Sequence, residues 1–180
     1  MKSCYLTPLR TERLQGKWLR LIYPLVYYSA RLDMTMVTPP SFVTDLASVP
    51  RLPLVYALTG GTMNYEAVTH DMNYRWGRLG RKVSDDVFLE SGQARSRSRE
   101  NQSWLYRSGR NTRNFLMAGF VRAFGWAAYD PLPGCLDYRE KKNCRKTGKV
   151  CQECEMYYPA WEDCFLDGYR PDAVEMHPTV

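Results

Sequence analysis

Histidine is nearly absent. In 180 residues only His70 and His177 carry an imidazole. A zinc peptidase of the HExxH type needs two histidines on one helix, so that class is excluded. An HD-type phosphohydrolase needs a further histidine beside its His-Asp pair. Histidine chemistry in this chain therefore has to work with a single imidazole. Long apolar runs are missing too, and none reaches the ~18 residues that cross a bilayer. The first residues, Met1-Lys2-Ser3-Cys4-Tyr5, lack the apolar stretch of a signal peptide. The expectation is a protein made and used in a cytoplasm, or exported by another route. The composition of a disordered chain is also missing. With 44% apolar and 24% charged residues, the sequence can build one ordinary core plus an appendage.

Charge is unevenly distributed. Between Arg75 and Arg122 there are eleven Lys/Arg and four Asp/Glu, whereas Asp130 to Val180 holds seven Lys/Arg and ten Asp/Glu. The basic middle can face phosphate, on lipid or nucleic acid, or can be a solvated helix surface. Cysteine is concentrated at the other end, with five of six between Cys135 and Cys164.

The pattern predicts an α+β fold. Antiparallel β-strands at the N-terminus are followed by a three-helix segment and a Cys-rich, loop-rich C-terminal appendage. The expected division is 1–130 and 131–180. Residues 18–22 and 25–28 are rich in aromatic and β-branched side chains, with Pro24 as a break between them. Residues 34–38 alternate, and Pro39-Pro40 ends the run. A helix is predicted over 65–76, closed by Gly77. A second is predicted from Ser84 as N-cap, with Asp85 and Asp86 in its first turn and Gly92 near its end. Residues 95–99 then read as a polar connector. A third helix, over about 111–129, carries Phe115, Leu116, Phe120, Val121, Phe124 and Trp126.

The chemistry concentrates at His70-Asp71-Met72-Asn73-Tyr74. On a helix His70 and Tyr74 share a face, and Asp71 points elsewhere. Two helices joined by a short loop pack antiparallel, which brings Asp85 towards His70. An acid bonded to one imidazole nitrogen fixes the tautomer and leaves the other free to deprotonate water. Asp71 can hold a hard cation that polarises a carbonyl. The same residues equally describe a structural His–Asp hydrogen bond.

His70-Asp71-x-x-Tyr74 followed by Asp85-x-x-Phe88 resembles the phospholipase A2 motif, especially its short form in parvovirus capsid proteins. The resemblance spans about 20 residues. It implies His70 as the base, Asp85 and Tyr74 as its orienting partners, and Asp71 as a Ca2+ ligand. Asn73 stands where secreted phospholipases carry a disulfide cysteine, and Gly60-Gly61 is the nearest counterpart of their calcium loop. A wider resemblance covers roughly residues 18–128. The segments 39–51 (PPSFVTDLASVPR), 67–74 (AVTHDMNY) and 81–88 (RKVSDDVF), in that order, resemble an uncharacterised family encoded by bacteriophages and prophages. It implies a phage context, in the virion or tail or in the host cytoplasm. The expected partners are virion proteins or an anionic membrane surface, with nucleic acid a weaker alternative. It also singles out Asp45, which can cap the following helix, orient Arg51, or complete a cation site with Asp71. Arg81 can pair with Asp85 at i+4, and both Arg81 and Arg51 are candidates for binding a phosphate or other anion.

In the appendage Cys151-Gln152-Glu153-Cys154 forms a CxxC knuckle. Together with Cys135, Cys144 and Cys164 it can supply four thiolates to a structural Zn2+. Disulfides and free thiols are the competing readings. The basic segment Arg95, Arg97, Arg99, Arg107, Arg110 and Arg113, with Trp104 and Tyr106 interleaved, can lie on an anionic membrane, track nucleic acid, or form the outer face of a core helix.

Overall fold

The computed structural model describes residues 2–46, 63–97, 104–132, 135–137, 139, 146 and 165–167, with backbone alone for 104–108, 110 and 165–167. The chain divides into two compact units, Met1–Asp45 with Leu132–Val180, and Leu46–Pro131.

The first unit is built of strands. They are β1 (Cys4–Tyr5), β2 (Thr11–Arg13), β3 (Leu19–Leu21), β4 (Leu25–Ser29), β5 (Met34–Thr38), β6 (Val43–Thr44) and β7 (Phe165–Asp167). They form a four-stranded sheet in the order β1-β4-β5-β7 and a three-stranded sheet in the order β2-β3-β6. Every ladder in both sheets is antiparallel. The β4–β5 hairpin pairs Tyr27 with Met36 and Ser29 with Met34. Its four-residue loop is pinned by local bonds. Tyr28 donates its hydroxyl to Asp33 Oδ1 at 2.7 Å, and Leu32 N donates to Ser29 Oγ at 3.3 Å. Asp33 takes a positive φ there, a conformation that Asp tolerates better than most residues. Pro24 precedes β4, and Thr7 replaces the ladder at that point. Thr7 Oγ1 donates to the Pro24 carbonyl at 2.9 Å and accepts Val26 N at 2.8 Å. Tyr27, Phe42, Leu21, Leu25, Met36, Val43 and Leu136 are almost wholly buried in this unit.

The second unit holds three helices, α1 (Asn64–Trp76), α2 (Gly80–Arg97) and α3 (Trp104–Phe124), then a 3-10 turn at Gly125–Ala127. The α+β class, with antiparallel N-terminal strands followed by three helices, is the one the sequence predicts, whereas β7 lies in the segment expected to be loop-rich and pairs back onto β5. Gly77 closes α1 in the left-handed conformation, φ 73°, and its N–H returns to Asn73 O at 2.9 Å. A side chain there would also collide with Pro131, 2.7 Å from an added Cβ. A small apolar core of Met63, Phe88, Met117, Ala118 and Val121 lies between the helices.

Helix boundaries depart from expectation at both ends of α2 and of α3, which spans Trp104–Phe124 rather than about 111–129. Ser84 is not an N-cap, because α2 begins four residues earlier, at Gly80. Gly80 takes φ 70°, so a left-handed turn starts the helix and Ser84 Oγ bonds back to the Gly80 carbonyl at 2.8 Å. Gly92 lies within α2, towards its end at Arg97, where an added Cβ would meet Asn114 of α3 at 3.0 Å, so it is a site of close helix approach. The segment 95–97 is the last turn of α2 rather than a connector. Its Ser96 is buried, donates to the Gly92 carbonyl at 2.9 Å and accepts Asn114 Nδ2 at 3.1 Å.

Candidate functional site

Helix α1 is buried on more than one face, yet it is not apolar. Nine of its residues are buried, and Glu66, Thr69, His70, Asp71, Asn73 and Arg75 among them are polar. Burying polar groups costs free energy unless they are hydrogen-bonded. A helix of this kind is held by specific pairs, and those pairs locate the site.

The central pair joins α1 to α2. His70 Nε2 lies 3.0 Å from Asp85 Oδ1. Tyr74, one turn on, donates its hydroxyl to the same oxygen at 2.5 Å. The spacing of four residues places both donors on one side of α1, and the short turn at 77–79 brings α2 back so that Asp85 faces them. Arg81, one turn before Asp85, approaches its other oxygen, Oδ2, at 3.4 Å and donates to the Arg122 carbonyl at 3.0 Å. His70, Asp85 and Tyr74 are 3%, 1% and 4% exposed. The imidazole is enclosed by rings, with Tyr74 at 3.9 Å between centroids and Phe88 edge-on at 5.2 Å. Tyr129 meets Tyr74 edge-on, also at 5.2 Å.

This geometry sets the proton inventory. Burial, reinforced by the Asp85 carboxylate, pushes the Tyr74 phenol above its ordinary value of 10.0, so Tyr74 stays a donor across the physiological range. Asp85 Oδ1 accepts, and Nε2 is the nitrogen that carries the hydrogen in the neutral ring. That leaves Nδ1 as the basic nitrogen, and no hydrogen bond to it occurs among the described residues.

The other anticipated residues fall as follows. Asp71 is buried and engaged with a partner of its own. Asp45 belongs to the strand unit, where it accepts Lys17 Nζ at 2.5 Å. Arg81 takes the i+4 pairing with Asp85. Arg51, Gly60-Gly61 and the cysteines Cys144, Cys151, Cys154 and Cys164 lie outside the described residues. Cys135 is buried, and its Sγ donates to the Asp137 carbonyl at 3.2 Å. Among the described residues no three His, Cys, Asp or Glu side chains are grouped to hold a metal ion, and no helix is long and apolar enough to cross a membrane.

Sequence reasoning missed three contributors. Gly125 makes room for Tyr74: a Cβ there would lie 2.3 Å from the phenol oxygen. Asp86, next to Asp85, pairs with Arg122 of α3. Glu66 pairs with Arg95 Nη1 at 3.2 Å, and the Arg95 guanidinium lies over the Tyr65 ring at 4.2 Å. None of these is a local pattern. An i,i+4 signal exists only inside one helix, and these contacts join residues 29 or more positions apart.

Glu66 yields a pH prediction. Burial pushes its carboxyl above the ordinary 4.5, by more than Arg95 and Arg113 draw it down. The folded state therefore holds this proton more tightly than the unfolded state does. Its contribution to stability is complete below the unfolded value and is lost as pH rises through the folded one. Urea midpoints of the wild type are expected to carry a decline starting near pH 4.5 that Glu66→Gln removes. Identical pH slopes for the two proteins would refute it.

The family described as "Protein of unknown function (DUF1353)" matches residues 19–108, half of the chain. No curated protein and no solved structure matches. The matched span contains His70, Asp71, Tyr74, Arg81 and Asp85.

Proposed function

The chain belongs to the DUF1353 family, whose function is unknown, and from that premise we propose that it is a phage-encoded ester hydrolase of phospholipase A2 type acting on membrane lipid. The observation that carries the reading is the double acceptance at Asp85 Oδ1, from His70 Nε2 and from Tyr74 OH. It orients the ring and presents Nδ1 as the base. The phage context rests on the resemblance of three ordered motifs, 39–51, 67–74 and 81–88.

In the proposed reaction Nδ1 takes a proton from water as the water oxygen attacks the ester carbonyl. Asp85 stabilises the imidazolium through Nε2. When the tetrahedral intermediate collapses, the bond from carbonyl carbon to alkoxy oxygen breaks. The imidazolium returns its proton to the leaving alkoxide, giving a fatty acid and an alcohol. The phospholipase resemblance adds Ca2+, which would polarise the carbonyl, with Asp71 as its carboxylate ligand. Asp71 is not joined by two further His, Cys, Asp or Glu ligands among the described residues.

One observation favours the alternative of a non-catalytic virion or tail protein, stiffened by zinc at its cysteines. His70 is 3% exposed, as a purely structural imidazole would be. Hydrolysis of mixed phospholipid vesicles by the wild type and by His70→Ala, with calcium and with chelator, separates the two. Fatty-acid release that disappears in His70→Ala is the expected result. Absence of release by the wild type, together with full infectivity of a His70→Ala phage, would replace the hydrolase by the structural reading.

A further inference from the structure

Arg81 borders the His70 site on its open side. His70, Tyr74 and Asp85 are buried, whereas the Arg81 side chain is 36% exposed. Its charge reaches the Tyr74 phenol, where it opposes the rise that burial imposes, so the guanidinium lies beside the cluster. Its hydrogen bonds run through one nitrogen. Nη1 meets Asp85 Oδ2 at 3.4 Å and donates to the Arg122 carbonyl at 3.0 Å. Among the described residues Nε and Nη2 make no hydrogen bond or ion pair.

The pairing with Asp85 aims this group without using it up. A closed arginine–carboxylate pair is bidentate, with N···O distances of about 2.8 Å. Here the contact is single and 3.4 Å long. The carboxylate is satisfied instead at Oδ1, by His70 and Tyr74. Two fixed acceptors on Nη1 hold the guanidinium plane. They leave the edge formed by Nε and Nη2, whose N–H bonds run parallel and match two oxygens of one anion. The surroundings favour negative charge there. No acid stands in the first turn of α2, the neighbouring Lys82 is exposed, and Asp86 is taken by Arg122. An ester that carries an anion suits a base and a guanidinium edge set on either side of one carboxylate. On the lipid-ester reading, from which this follows, that anion is a phosphate. We propose that Arg81 is a substrate-binding residue of the His70 site, its Nε–Nη2 edge taking two oxygens of a phosphate borne by the ester.

Two esters of the same short acyl chain test it in the full chain, dibutyroylphosphatidylcholine and dibutyroylglycerol, both as monomers in water. The wild type should prefer the phosphate ester in kcat/KM. In Arg81→Gln that preference should fall about 10–100-fold, mainly through KM. Arg81→Lys keeps the charge without the fork and should restore part of it. If Arg81 served only to brace Asp85 and the end of α3, both esters would slow alike. An unchanged ratio between them therefore overturns the proposal. Binding is also readable without turnover, from the Arg81 Nε–H resonance identified by its loss in Arg81→Lys. Glycerophosphocholine, which carries the diester headgroup alone, should shift that resonance in the wild type and in His70→Ala. A shift by inorganic phosphate but not by glycerophosphocholine would make free phosphate the ligand and overturn the ester-borne source. Turnover of ester with no shift overturns the anion role and leaves the hydrolase. A shift by glycerophosphocholine in a protein that turns over neither ester overturns the hydrolase and leaves the phosphate-binding edge.

Discussion

Asp85→Ala is expected to destabilise the helical unit by about 3–5 kcal/mol, whereas Asp85→Asn should cost far less and still remove catalysis. The carboxylate is 1% exposed and takes three donors, from His70, Tyr74 and Arg81. These losses are unequal. The Arg81 side chain is 36% exposed and keeps its bond to the Arg122 carbonyl, so water repairs much of its loss. His70 and Tyr74 are dry, and each buried donor left unpaired costs roughly 1–3 kcal/mol. An Asn amide keeps the shape and one acceptor oxygen, which can still serve His70 and Tyr74 together while Arg81 turns to solvent. What Asn lacks is the charge that stabilises an imidazolium. If His70 is the base, ester hydrolysis should fall by about 10²–10⁴-fold in Asp85→Asn while the urea midpoint moves little. The split between stability and rate carries the information, because a purely structural dyad would show only the stability change. A wild-type rate in Asp85→Asn would remove His70 from the base role. A loss below about 1 kcal/mol in Asp85→Ala would show that the carboxylate is rehydrated and that the site is more open than its burial indicates.

The heart of this site is legible from sequence because its logic is local. His70 and Tyr74 lie one helical turn apart, and Asp85 lies across a short connection, so period and loop length together bring three side chains to one point. The strands are legible for the same reason. Residues 34–38 alternate, and β5 spans Met34–Thr38. Where expectation fails, a local rule meets a competing one. Ser84 before two acids is an N-cap signature, yet Gly80 can adopt a positive φ and starts the helix a turn earlier. Glycine is a poor helix former, so Gly92 reads as a residue near a helix end. In the fold it is retained where Asn114 comes within 3.0 Å of the position of a Cβ. The run of arginine and serine at 95–97 looks solvated. Its helix is held instead by Arg95 on Glu66 and by Ser96 on Asn114, partners from the other two helices.

Gly125→Ala is the second large effect, and nothing in the sequence around residue 125 announces it. Glycine to alanine at a helical position ordinarily stabilises by up to ~1 kcal/mol. Here the added methyl would stand 2.3 Å from the Tyr74 hydroxyl and 3.3 Å from its Cζ. The backbone cannot easily retreat, because the Gly125 carbonyl accepts both Ala128 N at 3.0 Å and Tyr129 N at 2.8 Å. The phenol cannot easily retreat either, since it bonds Asp85 and its ring packs on His70 and Tyr129. Overpacking of this kind costs about 1–3 kcal/mol, and relief comes only if the hydroxyl leaves Asp85. The prediction is therefore a coupling. Tyr74→Phe deletes the clashing atom, so Gly125→Ala should cost at least ~1 kcal/mol less in the Tyr74→Phe background than in the wild type, a non-additivity well beyond the ~0.3–0.5 kcal/mol typical of independent sites. Urea midpoints of the four proteins measure it. Costs that simply add would mean that Gly125 is not what allows Tyr74 to reach Asp85. A coupling of the expected sign would make the end of α3 part of the His70 site.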